Sequence, residues 1–212
     1  MKNSVIARLF ATAAAFAVAA EALAQNQDKG STTVDLKEIR KNLGELQASI
    51  SDTVSALTQL KEGAKAGGDL GSRYAAFNTE FTDLESLSAK VRSQGTKVRA
   101  RAEEHYRAWR EELSKMNNPK LREKAQNRFA DAKEEFDEII VIADEAKREM
   151  EPFMADLRDV ATYLKADLSA DSVKSLSNTI WKLGNKSRAV NGSIQHVTAQ
   201  IDKTLEELPQ GK

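Results

Sequence analysis

Leu36, Ile39, Leu43, Leu46, Ile50, Thr53, Leu57, Leu60 and Ala64 follow one another at alternating steps of three and four residues. That spacing keeps one stripe of a helix apolar over four heptads, so it predicts a long helix packed along its length. Thr32 with Asp35 three residues on resembles a capping signal at its start. Gly67-Gly68 marks its end, where glycine tolerates the left-handed conformation that terminates helices. Asp69 is placed to cap a second helix, whose seam runs Leu70, Tyr74, Phe77, Phe81, Leu84, Ser88, Val91, Gly95, Val98, Ala102. The register then slips to Tyr106, Trp109, Leu113 and Met116, a stutter that locally unwinds a supercoil. Asn117-Asn118-Pro119 reads as a turn, with Asn118 a cap and Pro119 the first residue of a third helix.

The third seam is Leu121, Ala125, Phe129, Ala132, Phe136, Ile139, Ala143, Ala146, Met150, Phe153, Leu157, Val160, Leu164. Pro152 lies inside it and predicts a kink, or alternatively a break into two helices. After a joint at 167–170, with Ser169 as cap, the fourth seam runs Val173, Leu176, Ile180, Leu183, Ser187, Val190, Ile194, Val197, Ile201, Leu205, Leu208.

Joints this short force consecutive helices to lie antiparallel. The expected fold is all-α: an elongated antiparallel four-helix bundle, or coiled coil, with a projecting two-helix hairpin. At 1.5 Å per residue the two central helices should each span roughly 70 Å. The outer two are shorter. Folded back, the first covers Asp69 to about Ala102 and the last covers about Ala130 to Leu168, which leaves Glu103 to Phe129 without further partners.

The first residues follow a different pattern. Lys2 and Arg8 precede an apolar stretch, Leu9 to Ala20, and Ala22-Leu23-Ala24 reads as a small-x-small cleavage site. This is the form of a secretory signal peptide. The expected divisions are a signal peptide at 1–24, a flexible leader at 25–32, one helical bundle domain at 33–208 and a frayed tail at 209–212. No later segment is apolar enough to span a bilayer. The expected address is the periplasm, with no stable membrane insertion after signal cleavage.

Charged residues make up 30% of the chain and aromatics only 6%, a profile suited to long solvated helices. Basic and acidic residues balance at 32 each, and no basic excess gathered on one face is visible, so nucleic acid is not an expected partner. The chain has no cysteine, which removes both a thiol nucleophile and the lipid attachment point of a lipoprotein.

The segment from Arg101 to Glu112 brings His105, Tyr106, Trp109 and Arg110 together where the seam slips, with Met116 just beyond. Tyr, Trp and Arg are the residues enriched at binding hot spots, so these five positions form a candidate partner-docking tip. The plainer reading is that Tyr106 and Trp109 fill the thin hairpin core. His105 and His196 are the only histidines. A di-iron bundle needs Glu three residues before each histidine, and those positions hold Ala102 and Ser193. No metal or cofactor is therefore expected. No Gly-x-Ser-x-Gly elbow and no phosphate-binding loop occurs, so catalytic residues are expected to be absent. Trp181 and Tyr163, next to seam residues, are expected to widen the core. The helices lack a strongly basic polar face, so none is expected to lie along a membrane surface.

Several short stretches carry a likeness to a known family: Gly67-Gly68-Asp69-Leu70 with Tyr74 and Phe77, Trp109-Arg-Glu-Glu-Leu113, Asn118 to Arg122, Met150-Glu-Pro-Phe153 with Leu157-Arg158-Asp159, Tyr163-Leu164-Lys165, and Leu168 to Leu176. In these the chain resembles the exported bacterial coiled-coil family catalogued as domain of unknown function twenty-nine fifty-nine. The resemblance implies a secreted helical protein with no assigned activity, often bearing a lipoprotein-type leader, from which this chain departs by lacking cysteine. The functional expectation is a non-catalytic interaction or scaffold protein of the cell envelope. The alternative is a periplasmic chaperone or ligand-sequestering helical clamp; a hydrolase or metalloenzyme is a weaker third. The expected partner is another envelope protein, and a second copy of the chain, pairing along the uncovered hairpin, is a further candidate.

Overall fold

A computed structural model describes residues 29–207 of the chain, with side chains from Asp35 to Glu206. The signal peptide, the first part of the leader and the tail lie outside the described residues. Five helices follow in order: α1 (Lys29–Ala66), α2 (Leu70–Lys115), α3 (Pro119–Ala166), α4 (Ala170–Ser175) and α5 (Ser177–Glu207). No strand occurs among the described residues. The fold is an all-α bundle.

The joints form as their residues dictate. Gly67 adopts φ +69°, and the amide of Gly68 donates to the carbonyl of Gly63 at 2.9 Å, which satisfies one of the carbonyls stranded at the end of α1. Asp69 caps α2: its carboxylate accepts from the Ser72 amide at 3.2 Å and the Ser72 hydroxyl at 2.6 Å. Asn118 caps α3 by accepting from the amides of Lys120 and Leu121. Pro119, at the first helical position, has no amide to strand. Ser169 sits in extended backbone and accepts from the Ser172 amide, opening α4.

Three elements differ from the sequence-based expectation. First, α1 begins at Lys29, so the last residues of the expected leader, and Thr32 with them, lie inside the helix. No proline there prevents the helix from running on. Second, α3 passes through Pro152 without interruption, so the alternative of a break into two helices does not hold. Third, the fourth seam is carried by two helices, not one. The break falls at Leu176, whose amide turns back to the Val173 carbonyl at 3.2 Å. The hydroxyls of Ser175 and Ser177 donate to the carbonyls of Ser172 and Lys174 at 2.7 and 2.6 Å. Such local bonds compete with the regular helical ladder.

The chain divides into two compact units. One comprises 41–92 and 142–197. Here all four long helices contribute segments, and cross-links between them fix the arrangement. The Asn42 side-chain carbonyl accepts from Lys90 at 3.0 Å, and the Thr53 hydroxyl donates to the Glu80 carbonyl at 3.2 Å. Tyr74 donates to the Ala161 carbonyl at 3.2 Å, and Arg158 donates to Glu85 at 3.1 Å. Lys186 pairs with Asp156 at 2.6 Å, Ser193 donates to Glu149 at 2.6 Å, and Gln47 donates to the Asn191 carbonyl at 2.9 Å. Within the α3–α5 pair, as within α1–α2, one number rises while its partner's falls. Neighbouring helices are therefore antiparallel, and α5 closes the ring against α1. The seams meet inside. Ile50, Leu57, Leu60, Phe77, Leu84, Phe153, Leu157, Leu164 and Leu183 are each completely enclosed. Each is worth about 1.5–3 kcal/mol of transfer out of water.

Of the described residues, the other unit comprises 29–40, 93–141 and 198–207. Asp35 pairs with Arg101, the Gln94 amide donates to Glu38 at 2.8 Å, and Arg40 pairs with Asp202. These links set the start of α1 against α2 and the end of α5 against α1. Ile201 is buried as expected, but Thr204 takes the next inward position and Leu205 is only half-buried. Thr204 tolerates burial because its hydroxyl donates to the Gln200 carbonyl at 3.0 Å.

Candidate docking site on the hairpin

Beyond Arg101 the described side chains of α2 and α3 form a cluster of their own. Only Tyr106 and Ala132 of that cluster are fully buried, with Ala102, Trp109, Phe129 and Phe136 packed around them. The slip of register at Ala102 places Tyr106 and Trp109 one turn apart on the inner face of α2. Their rings stack, 6.5 Å apart and 14° from parallel. Phe129 meets both edge-on, at 5.9 Å from Tyr106 and 5.4 Å from Trp109. Offset and edge-to-face pairs favour the ring quadrupoles, so this small core gains more than its area alone. The Tyr106 hydroxyl donates to the Ala132 carbonyl at 2.8 Å. Burial, with the Asp137 and Glu135 carboxylates nearby, holds that hydroxyl neutral well above the usual tyrosine range.

His105 stands beside them, its ring 5.8 Å from both Tyr106 and Trp109. Its Nε2 is enclosed and has no hydrogen-bond partner. Burial lowers its pKa below the ordinary histidine value. Arg110 is exposed and holds its guanidinium carbon 5.6 Å from the centre of the Phe129 ring. That contact is a cation–π interaction that shields the outer face of the cluster.

Of the five sequence-predicted tip residues, His105, Tyr106, Trp109 and Arg110 thus come together, as the core of the hairpin and its lid. Met116 stands apart from them. It follows the last residue of α2, is 38% exposed, and its amide donates to the Leu113 carbonyl at 3.3 Å. Sequence reasoning placed Leu121 in the α3 seam, but it is 58% exposed. Its place in the first turn of α3 is the reason: α2 ends at Lys115, so no facing helix remains to cover it.

Two further expectations are corrected. Trp181 is 65% and Tyr163 44% exposed, so neither widens the core. Trp181 follows seam residue Ile180, and one residue along a helix is a turn of about 100° away from the seam. Tyr163 lies alongside α4, its hydroxyl 3.3 Å from that of Ser175. His196 is exposed on α5. Among the described residues no group of three or more His, Asp or Glu side chains is gathered as a metal would require.

Over residues 27–208 the chain matches the family described as Protein of unknown function (DUF2959). The chain belongs to that family. No curated protein and no solved structure is significantly similar to it. The DUF2959 match spans every described helix, the hairpin included. Among the described residues of this DUF2959 chain no helix is long and apolar enough to cross a membrane.

Proposed function

We propose that the chain is an exported, non-catalytic interaction protein of the cell envelope, periplasmic after signal cleavage, which holds another envelope protein against the flank of its helices. Trp181 carries the reading. The seam of α5 is satisfied by Ile180, Leu183, Val190 and Ile194, all buried, yet the large aromatic on that helix stands 65% exposed. A tryptophan kept in water contributes nothing to the fold's own core, and tryptophan is the residue most enriched at the centres of protein interfaces. Lys2, Arg8 and the apolar stretch after them support export. The lack of a thiol, a nucleophile elbow or a phosphate loop supports a role without chemistry.

The test is a photo-cross-linking residue placed at position 181 in living cells, with osmotic-shock fractionation alongside. One defined protein adduct in the periplasmic fraction is the expected result. A chain kept in the cytoplasm with its first residues intact, or one giving no adduct, would remove the reading. Suppressed aggregation of unrelated unfolded proteins, without a defined adduct, would favour the helical clamp instead.

A further inference from the structure

The chain's charge balances overall, at 32 basic and 32 acidic residues, but not at the end of the hairpin. From Lys115 to Arg128 there are five basic residues (Lys115, Lys120, Arg122, Lys124 and Arg128) against the single acid Glu123. All five are exposed. Lys115 is engaged by Glu112 at 2.6 Å, while the side chains of the other four make no ion pair or hydrogen bond among the described residues. The same turn holds two exposed large apolar side chains, Met116 and Leu121. Leu121 shares a face of α3 with Lys124 and Arg128, three and seven residues on.

We propose that this turn seats on an anionic phospholipid surface, with Met116 and Leu121 in the headgroup layer and Lys120, Arg122, Lys124 and Arg128 against lipid phosphates. Two features favour lipid over an acidic protein. A standard protein interface uses about 20–30 residues a side, whereas Met116, Leu121 and the lysines beside them occupy one turn between two helix ends. A fluid surface deforms around such a small protrusion. Cations ringing a few apolar side chains also match the two terms of interfacial binding, electrostatic attraction to anionic lipid and burial of apolar area. The contact is peripheral; no helix enters the bilayer. The inference deepens the envelope reading and rests on it for the source of the lipid.

Vesicle flotation of the purified protein tests it. The chain is expected to float with vesicles rich in phosphatidylglycerol and not with pure phosphatidylcholine, and to be released at high salt. Reversing Lys120 and Lys124 together to Glu should lower partitioning at least about tenfold, as losing several basic contacts at a charged surface implies. Leu121→Ser should lower it several-fold, with circular dichroism and thermal unfolding unchanged. Lys182→Glu, a charge reversal on α5 outside the hairpin, should leave it as it was. No flotation with anionic vesicles at low salt would overturn the proposal, even if an acidic protein were found to bind the turn. Equal loss from Lys182→Glu would also overturn it, because the attraction would then not belong to the hairpin. A cross-link from position 181 is unaffected by either failure, so the protein-partner reading stands or falls separately.

Discussion

The hydroxyl of Tyr106 on α2 donates to the main-chain carbonyl of Ala132 on α3 at 2.8 Å, inside a small core whose described members lie on these two helices. Among the described residues every side chain of that cluster comes from α2 or α3, so Tyr106 supplies much of what joins those two helices there. Tyr106→Phe should keep the ring contacts and lose the hydrogen bond, costing about 1 kcal/mol. Tyr106→Ala should cost about 3–5 kcal/mol, the range for removing a large buried aromatic. Amide hydrogen exchange is the suitable measurement, because protection should fall first in 102–136. Unchanged protection there in Tyr106→Ala would show that the cluster does not hold the hairpin.

His105 gives the same hairpin a dependence on pH. Its imidazole is held below the ordinary value by burial, with its enclosed Nε2 unpaired. Arg101, one turn earlier on α2, is paired with Asp35 of α1. A base whose folded pKa is lowered binds its proton more readily when unfolded. Stability is therefore highest above about pH 6.5, the ordinary histidine value, and declines as pH falls below it. The decline levels off once the folded imidazole also takes its proton. Thermal unfolding of the wild type and of His105→Leu across this range should show the slope in the first and a reduced slope in the second. Identical slopes would assign the dependence to other groups.

Most of the fold is legible in the sequence because burial obeys the helical period. The seam through Ile50, Leu57, Phe77, Leu84, Phe153, Leu157 and Leu183 has each of these residues fully enclosed, and the caps at Asp69, Asn118 and Ser169 form from their own side chains. What escaped the period were places where a helix ends or where hydroxyls intervene. Leu121 fits the α3 seam by number, yet it stands where α2 has already stopped. The break at Leu176 depends on which carbonyls Ser175 and Ser177 choose, which no hydrophobic pattern encodes. Trp181 was misplaced for a different reason: its position beside Ile180 is adjacent in sequence but turned away in space. The candidate site was half legible. The aromatic cluster followed from the slip of register, whereas the basic turn was hidden by a whole-chain balance of zero.

Trp181 and Phe153 offer a direct contrast between exposed and buried aromatics. Phe153 is completely enclosed and Trp181 is 65% exposed. Phe153→Ala should cost about 3–5 kcal/mol through lost transfer energy and the cavity left behind. Trp181→Ala should change stability by no more than about 0.5 kcal/mol, as for ordinary surface substitutions. Chemical denaturation of both variants checks this. A large loss in Trp181→Ala would make the residue structural and withdraw its use as the sign of a partner.

Pro152 is the one residue inside α3 that local chemistry opposes. Proline has no amide to donate to the carbonyl four residues earlier, that of Arg148, and its ring crowds the same turn. The helix continues through it because Met150, Phe153 and Met154 around it are buried against the other helices, while Pro152 itself faces outward. Tertiary packing thus holds a conformation that the isolated segment would resist. Replacing Pro152 by Ala should restore the missing hydrogen bond and improve helix propensity by up to about 3 kcal/mol. Part of that gain is offset, by about 0.4–1 kcal/mol, because the unfolded chain regains the freedom that proline denies it. A net gain of about 1–2 kcal/mol is expected, and in a chain of this length each kcal/mol raises the melting temperature by about 2–4 °C. Calorimetry of Pro152→Ala measures it. If the variant melts lower, Pro152 is itself what seats Phe153 in the core, and the proline is part of the packing, not a burden on it.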